Sequence, residues 1–106
     1  MPVSDPLVSV VIPTHNRMRY LPEAVNSVCE QGYGNWELII VDDGSTDGTA
    51  DYLRELESRD KRISTVLHRR CANPARLRNA GIERTRGAYV TFLDSDDVWM
   101  PNKLTE

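Results

Sequence analysis

The sequence predicts an α/β fold built on a parallel sheet, and three observations carry that prediction. Four apolar runs alternate with four helical patterns, the order that crossover helices between parallel strands require. Two of those runs, residues 36–41 and 88–93, are apolar on both parities, as in strands covered on both faces. Polar motifs follow the first, second and fourth runs. Right-handed crossovers gather the C-terminal strand ends at one edge, and ligands of open α/β sheets bind there.

The elements follow in order. Residues 7–12 read as strand one, since Val8, Val10, Val11 and Ile12 are β-branched and favour the pleated conformation. Pro13 stops the strand because proline cannot donate to a ladder. Leu21, Ala24, Val25 and Val28 fall at i, i+3, i+4 and i+7, one face of a helix. Gly32 and Gly34 end it. Residues 36–41 form strand two, and 42–48 a polar turn in which Thr46 or Asp47 caps the next helix. Ala50, Leu53 and Leu56 are that helix's apolar stripe. Residues 62–67 make a weaker third strand. A third helix spans 73–83, with Pro74 acceptable in its first turn. Leu77, Ala80 and Gly81 face the sheet, and the small residues permit close approach. Residues 88–93 are strand four, and Pro101 opens a last helix.

The chain has 106 residues, enough for one small domain. Its 40% hydrophobic and 27% charged content is that of an ordinary globular protein. A net charge of −3 argues against a dedicated nucleic-acid binder. Arg69, Arg70, Arg76, Arg78, Arg84 and Arg86 do form a basic stretch, which reads mostly as a solvated helix face. No run approaches the ~20 apolar residues of a membrane span. The first residues lack the basic region of a signal peptide. Cys29 and Cys71 form no close-spaced metal motif, and a reducing cytoplasmic setting is the simpler assumption, though their pairing stays open.

The most telling run is Asp94-Ser95-Asp96-Asp97, directly after strand four. Its three carboxylates repel one another. Either the run is a solvated acidic turn, or a cation holds it, and oxygen ligands suit Mg²⁺ or Mn²⁺. A second acidic pair, Asp42-Asp43, stands in the same position after strand two and favours the cation reading. The turn after strand one, residues 13–17, contains no glycine, which excludes a dinucleotide-binding Rossmann fingerprint. A Walker motif is also missing, and the acidic pair of a receiver domain does not follow strand one. A nucleotide's phosphates would therefore be neutralised by a metal at the carboxylates rather than cradled by backbone N–H groups.

Residues 8–16, 37–47, 78–82 and 87–97 together resemble family 2 glycosyltransferases of the GT-A fold. The resemblance covers nearly the whole chain, and four motifs in the right order and spacing make it specific. It implies a Rossmann-like GT-A half-domain, with a mostly parallel four-stranded sheet in the order 3-2-1-4 flanked by helices. The whole chain would be one nucleotide-diphospho-sugar-binding domain. The implied activity is metal-dependent transfer of a sugar, with inversion, from a nucleoside diphosphate sugar to a saccharide or lipid-linked acceptor hydroxyl. UDP is the family's habit, with dTDP and GDP left open.

The resemblance also implies site roles. Pro13, Thr14, His15 and Asn16 border the nucleotide, and Asp43 accepts a hydrogen bond from the uracil N3–H. Arg78 reaches the base or the diphosphate. In the Asp94-Ser95-Asp96 signature, Asp96 ligates Mn²⁺ or Mg²⁺ directly and Asp94 contacts the ribose or a metal-bound water. Plainer readings stand beside these. His15 could be a turn residue bonding its own backbone, Asp42 a structural cap, Arg78 a surface arginine, Asp97 a helix cap and Trp99 core packing.

In the family the catalytic base and acceptor-binding residues follow the Asp-X-Asp motif, so the base is not expected in this chain. Alone, the chain would bind nucleotide weakly and transfer no sugar. Strand four would be an exposed edge, and a homodimer could cover it. No nucleic-acid partner is expected, and the full-length enzyme would work in the cytoplasm, at the cytoplasmic face of a membrane. Three rivals remain. A non-catalytic nucleotide- or metal-binding module fits the short chain. A nucleotidyltransferase would need a glycine-rich basic loop after strand one. A structural protein would not require carboxylates at two neighbouring strand ends.

Overall fold

A computed structural model describes residues 6–94. Ser95, Asp96, Asp97, Trp99 and the helix expected from Pro101 lie outside the described residues. In chain order the elements are β1 (Val8–Thr14), α1 (Leu21–Cys29), β2 (Trp36–Asp43), α2 (Thr49–Arg59), β3 (Ile63–His68), α3 (Pro74–Ile82) and β4 (Tyr89–Phe92). All strand pairs are parallel, in the order β3-β2-β1-β4. This is the expected Rossmann-like half-domain sheet, with the strand order that the resemblance implied.

Side-chain alternation along the central strands divides the core in two. Val8, Val10 and Ile12 of β1, with Leu38 and Ile40 of β2, pack against Leu21, Ala24, Val25 and Val28 of α1 and Leu53 of α2. Val11, Ile39 and Val41 point to the other face and pack against Leu77 of α3. Every residue of β2 is buried, as an interior parallel strand requires. The helical stripe expected of residues 21–28 is therefore the stripe that closes the first core.

Gly81 fixes how closely α3 approaches the sheet. A Cβ there would lie 2.5 Å from Val11 Cγ1 and 3.1 Å from Val41 Cγ2. Asn73 starts the helix, its side chain accepting the Arg76 amide at 3.2 Å, and Pro74 follows where its missing N–H costs nothing.

Two expectations need correction. Pro13 does not stop β1, which runs to Thr14 and pairs Pro13 with Val41 of β2. The reason lies in the alternation of the ladder. The Val11 carbonyl accepts the Leu93 amide at 3.1 Å, so β1 residues of that parity address the β4 side. β4 pairs only with residues 8–11. The missing N–H of Pro13 thus faces the β4 side, beyond the last β1–β4 pair, and takes no bond from the ladder with β2.

β4 is the second correction. Its apolar run suggested cover on both faces, yet Tyr89 is 65%, Val90 39% and Phe92 40% exposed. α3 packs mainly over β1, β2 and β3, and reaches β4 with Arg78, near the Phe92 ring.

The N-terminal edge of the sheet is locked by one buried carboxylate. Glu37 accepts the Ser9 hydroxyl at 2.5 Å and the Arg86 amide at 2.6 Å, and Ser9 Oγ in turn accepts the Gly87 amide at 2.9 Å. Burial alone would raise the Glu37 pKa. The Ser9 hydroxyl, the Arg86 amide and the Arg86 charge outweigh burial and hold it below the usual carboxylate value. This network pins the turn between α3 and β4, and so sets the register that delivers Asp94 to the opposite edge.

Candidate functional site

The C-terminal ends of β1, β2 and β4, with the loop joining β3 to α3, enclose a cleft of about 440 Å³. Pro13, Thr14 and His15 line it from β1, Asp43 from β2, Arg78 from α3 and Asp94 from beyond β4. Six of the sequence-predicted site residues are thus brought together. Arg17, Arg70 and Asn73 also line it.

The two loops at the cleft mouth are tied to each other. Asp42 accepts the Ser45 amide at 3.1 Å and the Ser45 hydroxyl, which fixes the turn after β2 as the cap reading expected. Gly44 sits at φ +65°, and a Cβ there would meet Arg70 Cβ at 2.9 Å, so both conformation and space require glycine. Asn16, at φ +49°, donates its amide to Ser45 Oγ at 2.8 Å and accepts the Thr46 amide at 2.7 Å. Its carboxamide nitrogen faces His15 Nε2 at 3.3 Å. Asn16 is therefore a tie between loops and does not line the cleft. Asp47, rather than Thr46, holds the start of α2. Its carboxylate accepts the Thr49 amide at 3.2 Å and the Met18 amide at 3.1 Å.

His15 bonds a neighbouring strand and not its own backbone. Its Nδ1 stands 2.7 Å from the Asp43 carbonyl oxygen. A carbonyl only accepts, so Nδ1 carries the proton and Nε2 accepts from Asn16. The imidazole is held as a plate at the cleft wall.

Asp43 is the best-fixed group of the site. Its side chain is 1% exposed. The carboxylate accepts the Cys71 amide at 2.7 Å, the Ala72 amide at 3.0 Å and the Arg70 guanidinium. Burial alone would raise its pKa. The Cys71 and Ala72 amides, the Cys71 thiol and the Arg70 charge together bring it below the usual value. A carboxylate offers about four lone-pair directions. Arg70, Cys71 and Ala72 take three of them, which holds the carboxylate as a fixed acceptor at the cleft wall.

Ala72 sits at φ +53°, a conformation that a non-glycine residue adopts only under constraint. Its bond to Asp43 supplies part of that constraint. His68 and Cys71 also converge on Asp43, with ligand atoms within 4.8 Å of one another. That corner does not suit Mg²⁺ or Mn²⁺, because the carboxylate is committed to Arg70 and two amides, and nitrogen and sulfur are softer donors than those ions prefer.

Thr14 gives a second sign of a ligand. The residue is 3% exposed, and its buried hydroxyl has no hydrogen-bond partner among the described residues. Such orphans are rare, and one lining a cleft is explained by a group that docks there. The Arg78 guanidinium lies 5.7 Å from the Phe92 ring centroid while reaching the cleft. Asp94 is exposed and has no hydrogen-bond or ion-pair partner among the described residues. Its bare oxygen donors fit a hard divalent cation. Ser95 and Asp96, the other signature residues, lie outside the described residues.

Sequence reasoning missed Arg17 and Arg70 as cleft residues. The partner of Arg70 is 27 residues away along the chain, and no local pattern announces it.

Comparison with known proteins adds four findings. A family model described as glycosyl transferase family 2 matches residues 9–106. A putative teichuronic acid biosynthesis glycosyltransferase of Bacillus subtilis, TuaG, is 48% identical over 99 residues, which is 93% of this chain and 39% of that protein. Among solved structures, S. aureus TarS 1–349 in complex with UDP superposes with a TM-score of 0.83 at 30% identity, covering 92% of this chain and 30% of that one. The mannosyltransferase PcManGT from Pyrobaculum calidifontis, in complex with GDP-Man and Mn²⁺, gives 0.81 at 28% identity, covering 89% and 28%.

Proposed function

The chain belongs to glycosyl transferase family 2, and on that premise we propose that its cleft is the donor site for a nucleoside diphosphate sugar, with UDP as the nucleotide. The observation that carries this reading is Asp43, a buried carboxylate fixed by three donors in the cleft lining, beside a Thr14 hydroxyl that has no partner among the described residues. A fixed acceptor at that place suits the N3–H of uracil. His15 and Pro13 flank the base. Arg17 and Arg78 face the diphosphate, where their charges offset its own.

Asp94, with Asp96 beyond it, would hold Mn²⁺ or Mg²⁺, which as a Lewis acid stabilises the leaving diphosphate. The acceptor hydroxyl attacks the anomeric carbon on the side opposite the diphosphate, so one displacement inverts the configuration. The base that takes its proton is assigned to sequence that longer relatives carry beyond the matched region. The chain spans 39% of the length of TuaG. These residues are therefore expected to bind donor without transferring sugar. The acceptor is a saccharide or lipid-linked glycan of a cell-surface polymer, by analogy with the teichuronic acid role named for TuaG. A cytoplasmic setting for the chemistry is part of this proposal. The bare β4 edge supports pairing with a second copy, for which sedimentation over a concentration series is the test, and a monomer throughout would refute it.

The donor reading is tested by titrating the chain with UDP, GDP and dTDP, with and without Mn²⁺. Binding strongest for UDP, aided by Mn²⁺ and lost in Asp96→Ala and Asp94→Ala, is expected. Equal binding of the three nucleotides, or indifference to both aspartates, would refute it.

A further inference from the structure

The loop joining β3 to α3 does more than close the cleft. Arg70, Cys71 and Ala72, three consecutive residues of this loop, all donate to one buried carboxylate, that of Asp43. Arg70 Cβ also rests against the backbone of Gly44, so the arginine is seated on the turn that Asp43 begins. We propose that Arg70 is a positioning residue that holds Asp43 as an acceptor-only group aimed at the base edge, and so sets the preference for a base presenting an N–H donor there over one presenting a bare ring nitrogen. This rests on the donor-site reading above.

The chemistry is simple. Uracil shows a donor at N3 and cytosine an acceptor. An ionised carboxylate accepts from the first and repels the second. A protonated carboxyl, or one free to rotate, loses that distinction because it can also donate. Two backbone amides bind the Asp43 carboxylate, but among the described residues the Arg70 guanidinium is the one full positive charge in direct contact with it. Other groups around it do not replace that charge. His15 contacts only the Asp43 carbonyl, through its Nδ1–H. His68 and Cys71 lie close, with ligand atoms within 4.8 Å of one another and of Asp43, and no ion pair joins either to it among the described residues. Asp42 turns to Ser45. Arg17, Arg78 and Asp94 stand elsewhere on the cleft lining.

The test compares UDP and CDP affinities at neutral pH for the chain and for Arg70→Ala, Arg70→Lys and Asp43→Asn, with circular dichroism confirming that each is folded. The carboxyl carbon of Asp43 is also titrated by NMR. In Arg70→Ala the UDP-over-CDP ratio should fall about tenfold, the scale of one lost charged hydrogen bond. The Asp43 midpoint should move upward, and Arg70→Lys should restore part of both. An unchanged ratio and midpoint in Arg70→Ala, where Asp43→Asn does lose the ratio, would overturn the role of Arg70 while leaving the donor reading standing. An unchanged ratio in Asp43→Asn would overturn the base contact itself, and this inference with it. An arginine that only stabilised the loop would shift melting temperature without moving the carboxyl midpoint.

Discussion

Replacing Gly81 by alanine sets two effects of opposite sign against each other. Alanine in a helix interior is favoured over glycine by about 0.5–1 kcal/mol. On an open surface that gain would dominate. Here the added methyl would stand 2.5 Å from Val11 Cγ1 and 3.1 Å from Val41 Cγ2, both on fully buried side chains of the central strands. Neither neighbour is the free end of a flexible chain, so α3 must lift from the sheet or the valines must leave their rotamers. Overpacking of this kind costs about 1–3 kcal/mol, which leaves a net destabilisation centred on about 1 kcal/mol. For a domain of this size each kcal/mol lowers Tm by about 4–8 °C. Thermal and urea unfolding of Gly81→Ala measure it, with Gly34→Ala as the control, since nothing lies within 4 Å of a Cβ there. UDP affinity should fall as well, because α3 carries Arg78 and Leu77 of the cleft. A Gly81→Ala chain as stable as the parent would refute the close approach of α3 that the argument assumes.

Other outcomes follow from the same contacts. Glu37 and Asp43 are both held below ordinary carboxylate values, so the stability they contribute is present above the unfolded-state value and lost as pH falls through the folded one. Urea midpoints should therefore be level near neutrality and decline below about pH 4–5, with a shallower decline in Glu37→Gln. Stability that rises on acidification would contradict this. Asp47→Ala removes the acceptor of the Thr49 and Met18 amides and should cost about 1 kcal/mol by urea unfolding. An unchanged midpoint would show that Gly48 alone suffices to start α2.

Much of the fold could be read from local pattern. The stripe Leu21, Ala24, Val25 and Val28 named a buried helix face because period 3.6 is set by helix geometry alone, and all four residues are buried. Ala80 and Gly81 named a close helix–sheet contact because small side chains have few other uses on an apolar face. Boundaries were less legible. Pro13 ended strand one on paper because the strand to which its nitrogen points is decided by pairing with β2 and β4, not by local sequence. The exposure of β4 was hidden for the same reason, since its cover is not decided by its own residues. In the site, Asp43, His15 and Thr14 could be named from motif order. Arg70 and the plate-like fixing of His15 could not, because their partners stand 27 and 28 residues away and meet only when β2 lies beside its neighbours.

The central claim is that a nucleotide docks at the C-terminal edge of the sheet. The most direct measurement is a map of amide shifts as UDP and Mn²⁺ are added to the labelled chain. The account predicts that the shifts concentrate at Thr14, His15, Cys71, Ala72, Arg78 and Asp94. Shifts confined to the groove between α1 and α2, at Cys29 and Tyr52 on the other face, or no shifts at all with the chain folded, would contradict it.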